Sequence, residues 1–383
     1  MAPISPILAG LSTYPFVRLE EAKRAARARG IELVDFGVGD PHEGAPAFVR
    51  EALVAALDGV GGYPLAQGLP ELRAAVAAWC RRRFGVDLDP DREVIPTLGS
   101  KEAIFSLAQI VLDPPGGRDV VVVTEPGYPV PERGALFAGG RPHVLPLLEE
   151  NGFLPDLESL DEHTWRRVAL FWVNYPNNPT GATAPLAFYE ELALRAREYG
   201  FVLASDEAYT EVWFDGPPAS ALQLADRGNV IAFNTLSKRS GMTGYRSGFA
   251  AGDPALVAAL RAYRPTVGTA PQEFVQRAAI AAWSDEGHVE AMRARYGERR
   301  AVLLDVLERK RLRVPGSRAT LYLWLAVPNG EASEDFSARL LEHGVVVSPG
   351  PYFGAAGEGY VRLALVPPLD DCRRAADVLE ELL

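Results

Sequence analysis

The sequence predicts an α/β fold in which a mostly parallel β-sheet lies between layers of helices, followed by a smaller α+β part. The first reason is that short apolar runs alternate with helix-like stretches from about Glu93 to Gly252. These runs lack period-two alternation, which is typical of strands covered on both faces. The second reason is a long, charged, amphipathic stretch, Glu286–Lys310, after which the order of elements changes.

Each element of the predicted sheet region has a local signal. Seven apolar runs have the length of strands: Glu93–Thr97, Asp119–Thr124, Arg141–Pro146, Arg167–Val173, Phe201–Ser205, Asn229–Phe233 and Ser247–Ala251. Ser100 is predicted to cap helix Lys101–Leu112, because its hydroxyl can accept a backbone hydrogen bond. Gly200 is expected to end helix Leu186–Tyr199.

The rest of the chain predicts a different arrangement. Pro271 is expected to open helix Gln272–Trp283. The elements predicted beyond the long amphipathic helix are strands Ala319–Val327, Val345–Ser348 and Tyr360–Val366 and helices Ser333–His343 and Leu369–Leu382. Their mixed order is typical of an α+β lobe.

Length and composition exclude several classes of protein. The 383 residues leave room for two or three domains. The 39 basic and 50 acidic side chains give a net charge of −11, which argues against a nucleic-acid partner. No apolar run approaches the ~18 to 20 residues of a membrane helix, and Met1–Arg18 does not resemble a secretory signal, so a cytoplasmic protein is expected.

Metal and disulfide sites are not expected either. Cys80 and Cys372 are the only cysteines, and the five histidines show no ligand-like pairing. No strand is followed by a G-x-G-x-x-G turn with an acidic residue downstream, which argues against a nicotinamide dehydrogenase. A nonenzymatic, cofactor-binding regulator is disfavoured because no basic or helix-turn-helix extension is appended.

The candidate site lies where the strands end, because open parallel sheets bind ligands at the carboxyl ends of their strands. Gly99, Ser100 and Lys101 form a turn before a helix whose free amides suit an anion. A plain helix cap with a solvated lysine fits the same residues. The segment Asn-Tyr-Pro-Asn-Asn-Pro-Thr-Gly at 174–181 is either a site loop or only a turn.

Three charged side chains stand at similar positions. Asp206 ends a buried run, where a carboxylate needs a cation or a strong donor unless it caps the next helix. Lys238 lies between hydroxyl residues, with Arg246 eight positions later; a desolvated lysine is a nucleophilic amine, whereas most lysines are only solvated. Arg362 suits a substrate carboxylate, although an arginine on a strand more often lies on a solvated face.

In this order and at these spacings, the segments resemble the class I pyridoxal 5′-phosphate aminotransferases of fold type I, from about Asp35 to Leu365. The resemblance implies a large, three-layer cofactor-binding domain of residues 41–285 and a discontinuous small domain of residues 1–40 and 286–383. It also implies a homodimer with shared active sites. The implied ligands are an amino acid and a 2-oxo acid, with no nucleic-acid or membrane partner.

The same resemblance implies a role for each matching residue. Three match catalytic residues: Lys238 the lysine that holds the cofactor, Asp206 the aspartate at its ring nitrogen, and Tyr209 a tyrosine at its ring hydroxyl. The other cofactor-binding matches are Asn178 at the ring hydroxyl, Tyr128 stacked on the ring, Ser100, Lys101, Thr235, Ser237 and Arg246 around the phosphate, and Tyr63 reaching the phosphate of the neighbouring subunit. The substrate-binding matches are Arg362 at the α-carboxylate, Gly39 beside it, and Asn178.

The segments around Ser100 and Lys238 look most like N-succinyldiaminopimelate aminotransferases of lysine biosynthesis, which use glutamate as donor. Ping-pong transamination between N-succinyl-LL-2,6-diaminopimelate and 2-oxoglutarate is therefore expected. The alternatives are an aminotransferase for aspartate, alanine or an aromatic amino acid, or a carbon–sulfur β-lyase, because all of these share the cofactor residues. Candidates for a cation at the distal end of the substrate are Arg18, Lys23, Arg24, Arg264 and Arg318.

Overall fold

The computed structural model describes residues 4–10, 15–41, 43–59 and 61–383, and its centre is a seven-stranded sheet. The strands of the described residues are β1 Val34–Asp35, β2 Val94–Thr97, β3 Val120–Glu125, β4 Arg141–Pro146, β5 Val168–Asn174, β6 Val202–Asp206, β7 Val230–Thr235, β8 Gly248–Gly252, β9 Tyr322–Ala326, β10 Val345–Val346, β11 Ser348–Pro349 and β12 Tyr360–Ala364. All seven predicted strands of the sheet are present, within two residues of the predicted bounds.

The seven-stranded sheet has the order β2–β8–β7–β6–β5–β3–β4. Strands β3 to β7 are parallel to one another, and β8 runs antiparallel to both β7 and β2. Every residue of β5, β6 and β7 is buried. The mostly parallel, doubly covered sheet predicted from the sequence is therefore confirmed.

Helices cover both faces of this sheet, and others belong to the second lobe. The helices of the described residues are α1 Pro6–Gly10, α2 Pro15–Ala28, α3 Ala47–Ala55, α4 Pro70–Phe84, α5 Ser100–Val111, α6 Val130–Phe137, α7 Glu162–Arg167, α8 Leu186–Tyr199, α9 Leu236–Arg239, α10 Pro254–Tyr263, α11 Glu273–Trp283, α12 Gly287–Arg309, α13 Ser333–Glu342 and α14 Leu369–Leu382. On one face Leu170 of β5 packs in a cluster with Ile104 of α5 and Leu260 of α10. Its neighbour Phe171 packs on the other face with Leu192 of α8.

Glycines set two of the helix ends. Gly200 adopts φ 72° and ends α8, as predicted. The prediction that Ser100 caps α5 is wrong: Gly99 is the N-cap, and Ser100 is the first helical residue. Gly99 has φ 68° and ψ 177°, a backbone conformation that glycine adopts far more readily than serine, so the cap position belongs to the glycine.

The two chain ends meet in a second lobe. Strand β1 pairs in parallel with β10, and β11, β12 and β9 form an antiparallel sheet. One hydrophobic cluster joins Val34 to Leu303 of α12, Val361 of β12 and Leu379 of α14. This packing supports the proposed small domain of residues 1–40 and 286–383, which stays a prediction together with the large domain of residues 41–285.

Two predicted strands of this lobe have different bounds. The run Ala319–Val327 becomes a strand only from Tyr322, because Thr320 has φ 71° and leaves the extended region. The run Val345–Ser348 divides into β10 and β11, since these pair with different partner strands. Among the described residues, no helix has the length and apolar character needed to cross a bilayer.

Candidate active site

The parallel strands bring polar residues together at their carboxyl ends. Asn174 ends β5 and Asp206 ends the adjacent β6. The side-chain amide of Asn174 donates to the backbone carbonyl of Asp206 at 2.9 Å. The Oδ1 of Asn174 accepts from the backbone amide of Asn178 at 2.9 Å. Two segments that the sequence singled out separately, 174–181 and the end of β6, are thus parts of one site.

The Asp206 carboxylate is buried and has no ion-pair partner among the described residues. Its only protein donor there is the Ala208 amide, at 3.2 Å. Burial therefore raises the pKa of Asp206 to about 7, and the Ala208 amide opposes this only in part. A buried carboxylate in this state would be stabilised by a cationic donor such as a protonated ring nitrogen.

Lys238 lies on α9, the short helix that follows β7. Its Nζ donates to the carbonyl of Gly39, so the glycine and the lysine that the sequence assigned to one site are in contact. Burial lowers the pKa of Lys238, and the nearby charges of Arg362 and Arg246 lower it further. An amine held in this way loses its proton more easily than a solvated lysine and becomes a nucleophile.

An anion-binding cup lies beside Lys238. Thr235 Oγ1 is 3.0 Å from Ser237 Oγ, and Arg246 Nη1 is 3.5 Å from the same oxygen. Arg246 also donates to the carbonyl of Thr243 at 2.8 Å, which holds its guanidinium in place. A Cβ added to Gly99 would lie 2.6 Å from Arg246 Nη2, so the arginine reaches the N-terminus of α5.

The first turn of α5 completes this cup. Ser100 and Lys101 are its first two residues, and their helix N-terminus favours an anion. Burial lowers the pKa of Lys101, with further contributions from the charges of Arg246, Arg133 and Lys238. A cluster of cations that destabilise one another in this way requires an anion such as a phosphate.

Tyr128 lies near both the cup and Asp206. Lys101 Nζ lies 5.8 Å from the centre of the Tyr128 ring. Tyr128, Trp172, Asn174 and Asp206 line one narrow cavity. The sequence assigned Tyr128 to stacking on a cofactor ring, and its position opposite Asp206 is compatible with that role.

Arg362 of β12 lies at the other side of the site. Its Nη1 donates to Asn178 Oδ1 at 2.9 Å and its Nη2 to the Gly37 carbonyl at 2.8 Å. The guanidinium carbon is 4.2 Å from the centre of the Tyr322 ring and 4.4 Å from that of Phe353. These contacts fix the planar guanidinium in an orientation suited to a carboxylate.

Tyr322 is a site residue that sequence reasoning missed. Its hydroxyl is 2.9 Å from that of Tyr209, and a Cβ on Gly39 would lie 2.1 Å from the same hydroxyl. Tyr322 belongs to an apolar strand, so the sequence pattern predicts only that it is a core residue. Burial raises the pKa of Tyr209 well above its usual range, so Tyr209 stays a protonated hydroxyl donor.

The candidates for a distal cation separate clearly. Lys23 is buried in an ion pair with Asp35 at 2.6 Å. Arg264 is buried and paired with Glu102 at 2.9 Å, so both cations have structural partners. Arg24 is exposed, and Arg318 pairs with Asp215 at 3.6 Å. Arg18 lies near the site, with its guanidinium 5.4 Å from the ring of Tyr352, the residue before Phe353, and it also pairs with Glu334 at 3.5 Å.

Tyr63 is the one predicted site residue that lies apart from the others. Its side chain is fully exposed in the single chain. Its assignment to the phosphate of a neighbouring subunit stays a prediction, since only one chain is described.

The residues present fit pyridoxal phosphate. The buried Asp206 carboxylate suits the ring nitrogen, the cup of Thr235, Ser237 and Arg246 suits the phosphate, and the nucleophilic Lys238 suits the aldehyde carbon. Each of these groups carries a charge or polarity that the protein alone leaves incompletely paired. The fit therefore rests on the donor set of the site itself.

Comparison with known proteins gives a consistent result. The family model "Aminotransferase class I and II" matches residues 31–379. The LL-diaminopimelate aminotransferase of Aquifex aeolicus is 41% identical over 388 residues and covers 100% of both chains. A solved aminotransferase from Neisseria meningitidis is 38% identical, with a TM-score of 0.91 and coverage of 99% of this chain and 100% of that one.

A further solved structure carries a related substrate in its name. The probable N-succinyldiaminopimelate aminotransferase of Thermus thermophilus is 34% identical, with a TM-score of 0.89. It covers 96% of this chain, and all of its own chain is matched.

Proposed function

Because the chain belongs to the class I and II aminotransferases and is thus a pyridoxal phosphate-dependent enzyme, we propose that it transaminates a diaminopimelate. Glutamate and 2-oxoglutarate are the proposed second pair. The observation that carries the proposal is the convergence of Lys238, Asp206 and Arg362 on one cleft. The names of the relatives support the substrate class.

The proposed roles follow from the geometry. Bound pyridoxal phosphate supplies an electron sink for the bond that breaks at the substrate α-carbon. Asp206 keeps a proton at the ring nitrogen, because a buried carboxylate favours a cationic partner. Arg362 binds the α-carboxylate and orients the α-carbon towards Lys238, whose uncharged Nζ accepts the α-proton and would deliver it to the aldehyde carbon of the bound cofactor.

The finer substrate has two candidates, LL-diaminopimelate and the N-succinyl derivative expected from the sequence. The first is supported by the name of a 41% identical relative and the second by that of a 34% identical one. Both carry the α-amino acid group that Arg362 suits, and they differ only at the distal nitrogen. The choice therefore depends on the part of the cleft beyond Arg362.

The test is an amino-donor panel with the purified, pyridoxal phosphate-loaded enzyme. LL-diaminopimelate, its N-succinyl derivative, glutamate, aspartate, alanine and phenylalanine are each offered with 2-oxoglutarate or pyruvate. We expect transfer from a diaminopimelate to 2-oxoglutarate with ping-pong kinetics. Transfer from the other donors without any from a diaminopimelate contradicts the proposed substrate, and pyruvate release from cystathionine without transamination contradicts the proposed reaction.

We further propose that the enzyme acts as a homodimer in which Tyr63 completes the phosphate site of the neighbouring subunit. The fully exposed side chain of Tyr63 supports this role, since a large aromatic residue is free to contact another chain. Nearby Leu65 is also exposed. Analytical ultracentrifugation is expected to give about twice the chain mass of 41.5 kDa.

A further inference from the structure

A cavity of about 340 Å³ lies beside Tyr128 and Phe353, two residues next to the candidate site. Its walls are the turn after β3, the start of α6 and the segment 352–354. Phe353 lies in this wall and stacks on the guanidinium of Arg362 at 4.4 Å. Tyr128 lines both this cavity and the narrow one beside Asp206. The cavity is thus the place where a substrate side chain can extend.

The position of Arg362 gives an independent reason to place a ligand here. Arg362 is buried, and its Nε has no hydrogen-bond partner among the described residues. A buried guanidinium with an unsatisfied donor lacks an acceptor, and a substrate carboxylate supplies one. A substrate anchored there has its side chain free to enter the cavity past Phe353.

The cavity wall carries two carboxylates, Glu125 and Glu132, and one cation, Arg133. Glu125 is half-buried, and one of its oxygens accepts from the Ala355 amide at 3.0 Å. Neither carboxylate forms an ion pair with a described residue. Burial raises the pKa of Glu125, and the negative charge of Glu132 raises it further. A cationic ligand group between them would relieve both effects.

We propose that Glu125, assisted by Glu132, binds the free distal ammonium group of the substrate, so that the enzyme acts on LL-diaminopimelate in preference to its N-succinyl derivative. This inference rests on the proposed function. The two amino-acid carbons of diaminopimelate lie about 5 Å apart in an extended chain, on standard C–C bond lengths. A substrate held at Arg362 thus carries its distal ammonium only a short side chain away from its α-carbon.

Succinylation changes the distal group in two unfavourable ways. It converts the ammonium into a neutral amide, which removes the charge-assisted hydrogen bond to Glu125. It also adds a carboxylate to a cavity wall in which the two negative charges of Glu125 and Glu132 outnumber the one positive charge of Arg133. Arg18, which lies against Tyr352 of the same wall and also pairs with Glu334 at 3.5 Å, is the proposed cation for the distal carboxylate of diaminopimelate.

The test compares kcat/KM for LL-diaminopimelate, N-succinyl-LL-diaminopimelate and glutamate in the wild-type enzyme and in E125Q and E132Q. We expect the wild type to prefer LL-diaminopimelate. E125Q is expected to lower kcat/KM for that substrate about tenfold, which is the loss of one charge-assisted hydrogen bond. Its kcat/KM for glutamate, which has no distal ammonium, should stay within about twofold.

The matched control is E150Q, because Glu150 is exposed and does not line the cavity. Cofactor absorbance and the reaction with glutamate show whether each variant is folded. A wild-type preference for the N-succinyl substrate overturns the inference, as do E125Q and E132Q variants that leave the substrate preference unchanged. Both results leave the proposed function intact, whereas a wild type that uses neither diaminopimelate contradicts the proposed function itself.

Discussion

Individual residues of the site carry charges that burial makes costly. Asp206 is buried and Lys238 is partly buried, and this desolvation shifts their pKa values in opposite directions, each towards the uncharged form. A protonated ring nitrogen beside the carboxylate and an electrophilic carbon beside the amine would both be stabilised by these groups. The local electrostatics of Asp206 and Lys238 therefore support the roles proposed for these two residues.

Asp206 predicts a pH dependence of stability in the cofactor-free protein. Its pKa is about 7 when folded, against an ordinary value of about 3.9, so the folded state binds more protons between these values. The contribution of Asp206 to the free energy of unfolding is fully present below the pKa that Asp206 has in the unfolded chain. It is lost as the pH rises through the folded pKa of about 7. We expect the free energy of unfolding to fall over this range in the wild type and to fall less in D206N.

The measurement is urea denaturation of both proteins across that pH range. Glu207, whose pKa is also raised to about 7 by burial, provides the comparison, because E207Q should reduce the pH dependence as well. Identical pH profiles for the wild type and D206N would contradict the assigned protonation of Asp206.

The sequence identified the charged members of the site but not their neighbours. Asp206 stands out because a charge rarely ends an apolar run, Lys238 because it lies between hydroxyl residues, and Arg362 because it interrupts an apolar strand. Tyr322 does not stand out, since a tyrosine in an apolar strand is ordinary core. Arg264 and Lys23 were candidates for the distal cation because composition cannot show that each is itself buried in an ion pair.

Among the elements, the turn from β2 into α5 positions the anion-binding cup. Gly99 combines a positive φ with close contact to Arg246, so its lack of a side chain has two separate consequences. Gly85, which ends α4, also has a positive φ of 69°, but a Cβ there would meet open space. Substitutions at these two glycines therefore separate the effect of backbone strain from the effect of displacing Arg246.

We expect G99A to weaken cofactor binding strongly and G85A to leave it unchanged. G85A should still cost about 1 kcal/mol of unfolding free energy through its left-handed backbone. Cofactor affinity is measured by titrating pyridoxal phosphate into each cofactor-free protein. Equal affinities for the two variants would show that Arg246 does not depend on Gly99 for its position.

The strands were predictable at this scale because a doubly covered sheet leaves unbroken apolar runs in the sequence. The cap of α5 was not, since serine and glycine are both common before a helix and only the φ of 68° decides between them. The cavity beside Tyr128 and Phe353 could not be predicted from the sequence either. It depends on the approach of Phe353 to the turn after β3, more than 200 positions away in the chain.

Across the whole molecule, a chain of net charge −11 concentrates positive charge at one place. Lys101, Lys238, Arg246 and Arg362 lie close enough to alter one another's environment, as the lowered pKa values of the two lysines show. Such a local field attracts anionic ligands to an otherwise acidic protein. The proposed dimer would add Tyr63 to this field from the partner chain.

Shared sites predict complementation between inactive subunits. In a mixed dimer of K238A and Y63A chains, one site has both residues intact and the other lacks both. Random mixing is expected to restore about a quarter of wild-type activity at limiting pyridoxal phosphate, because half of the dimers carry one intact site. Activity equal to the average of the two unmixed variants would contradict a site shared between subunits.

The central claim is that Lys238 carries out amino transfer with pyridoxal phosphate, and a single half-reaction tests it most directly. Glutamate is added to the loaded enzyme without any 2-oxo acid, and the near-ultraviolet to violet absorbance of the cofactor is followed. The wild type should change its spectrum, release 2-oxoglutarate and recover when a 2-oxo acid is added. K238A should release none, and a K238A enzyme that forms 2-oxoglutarate at the wild-type rate would contradict the account.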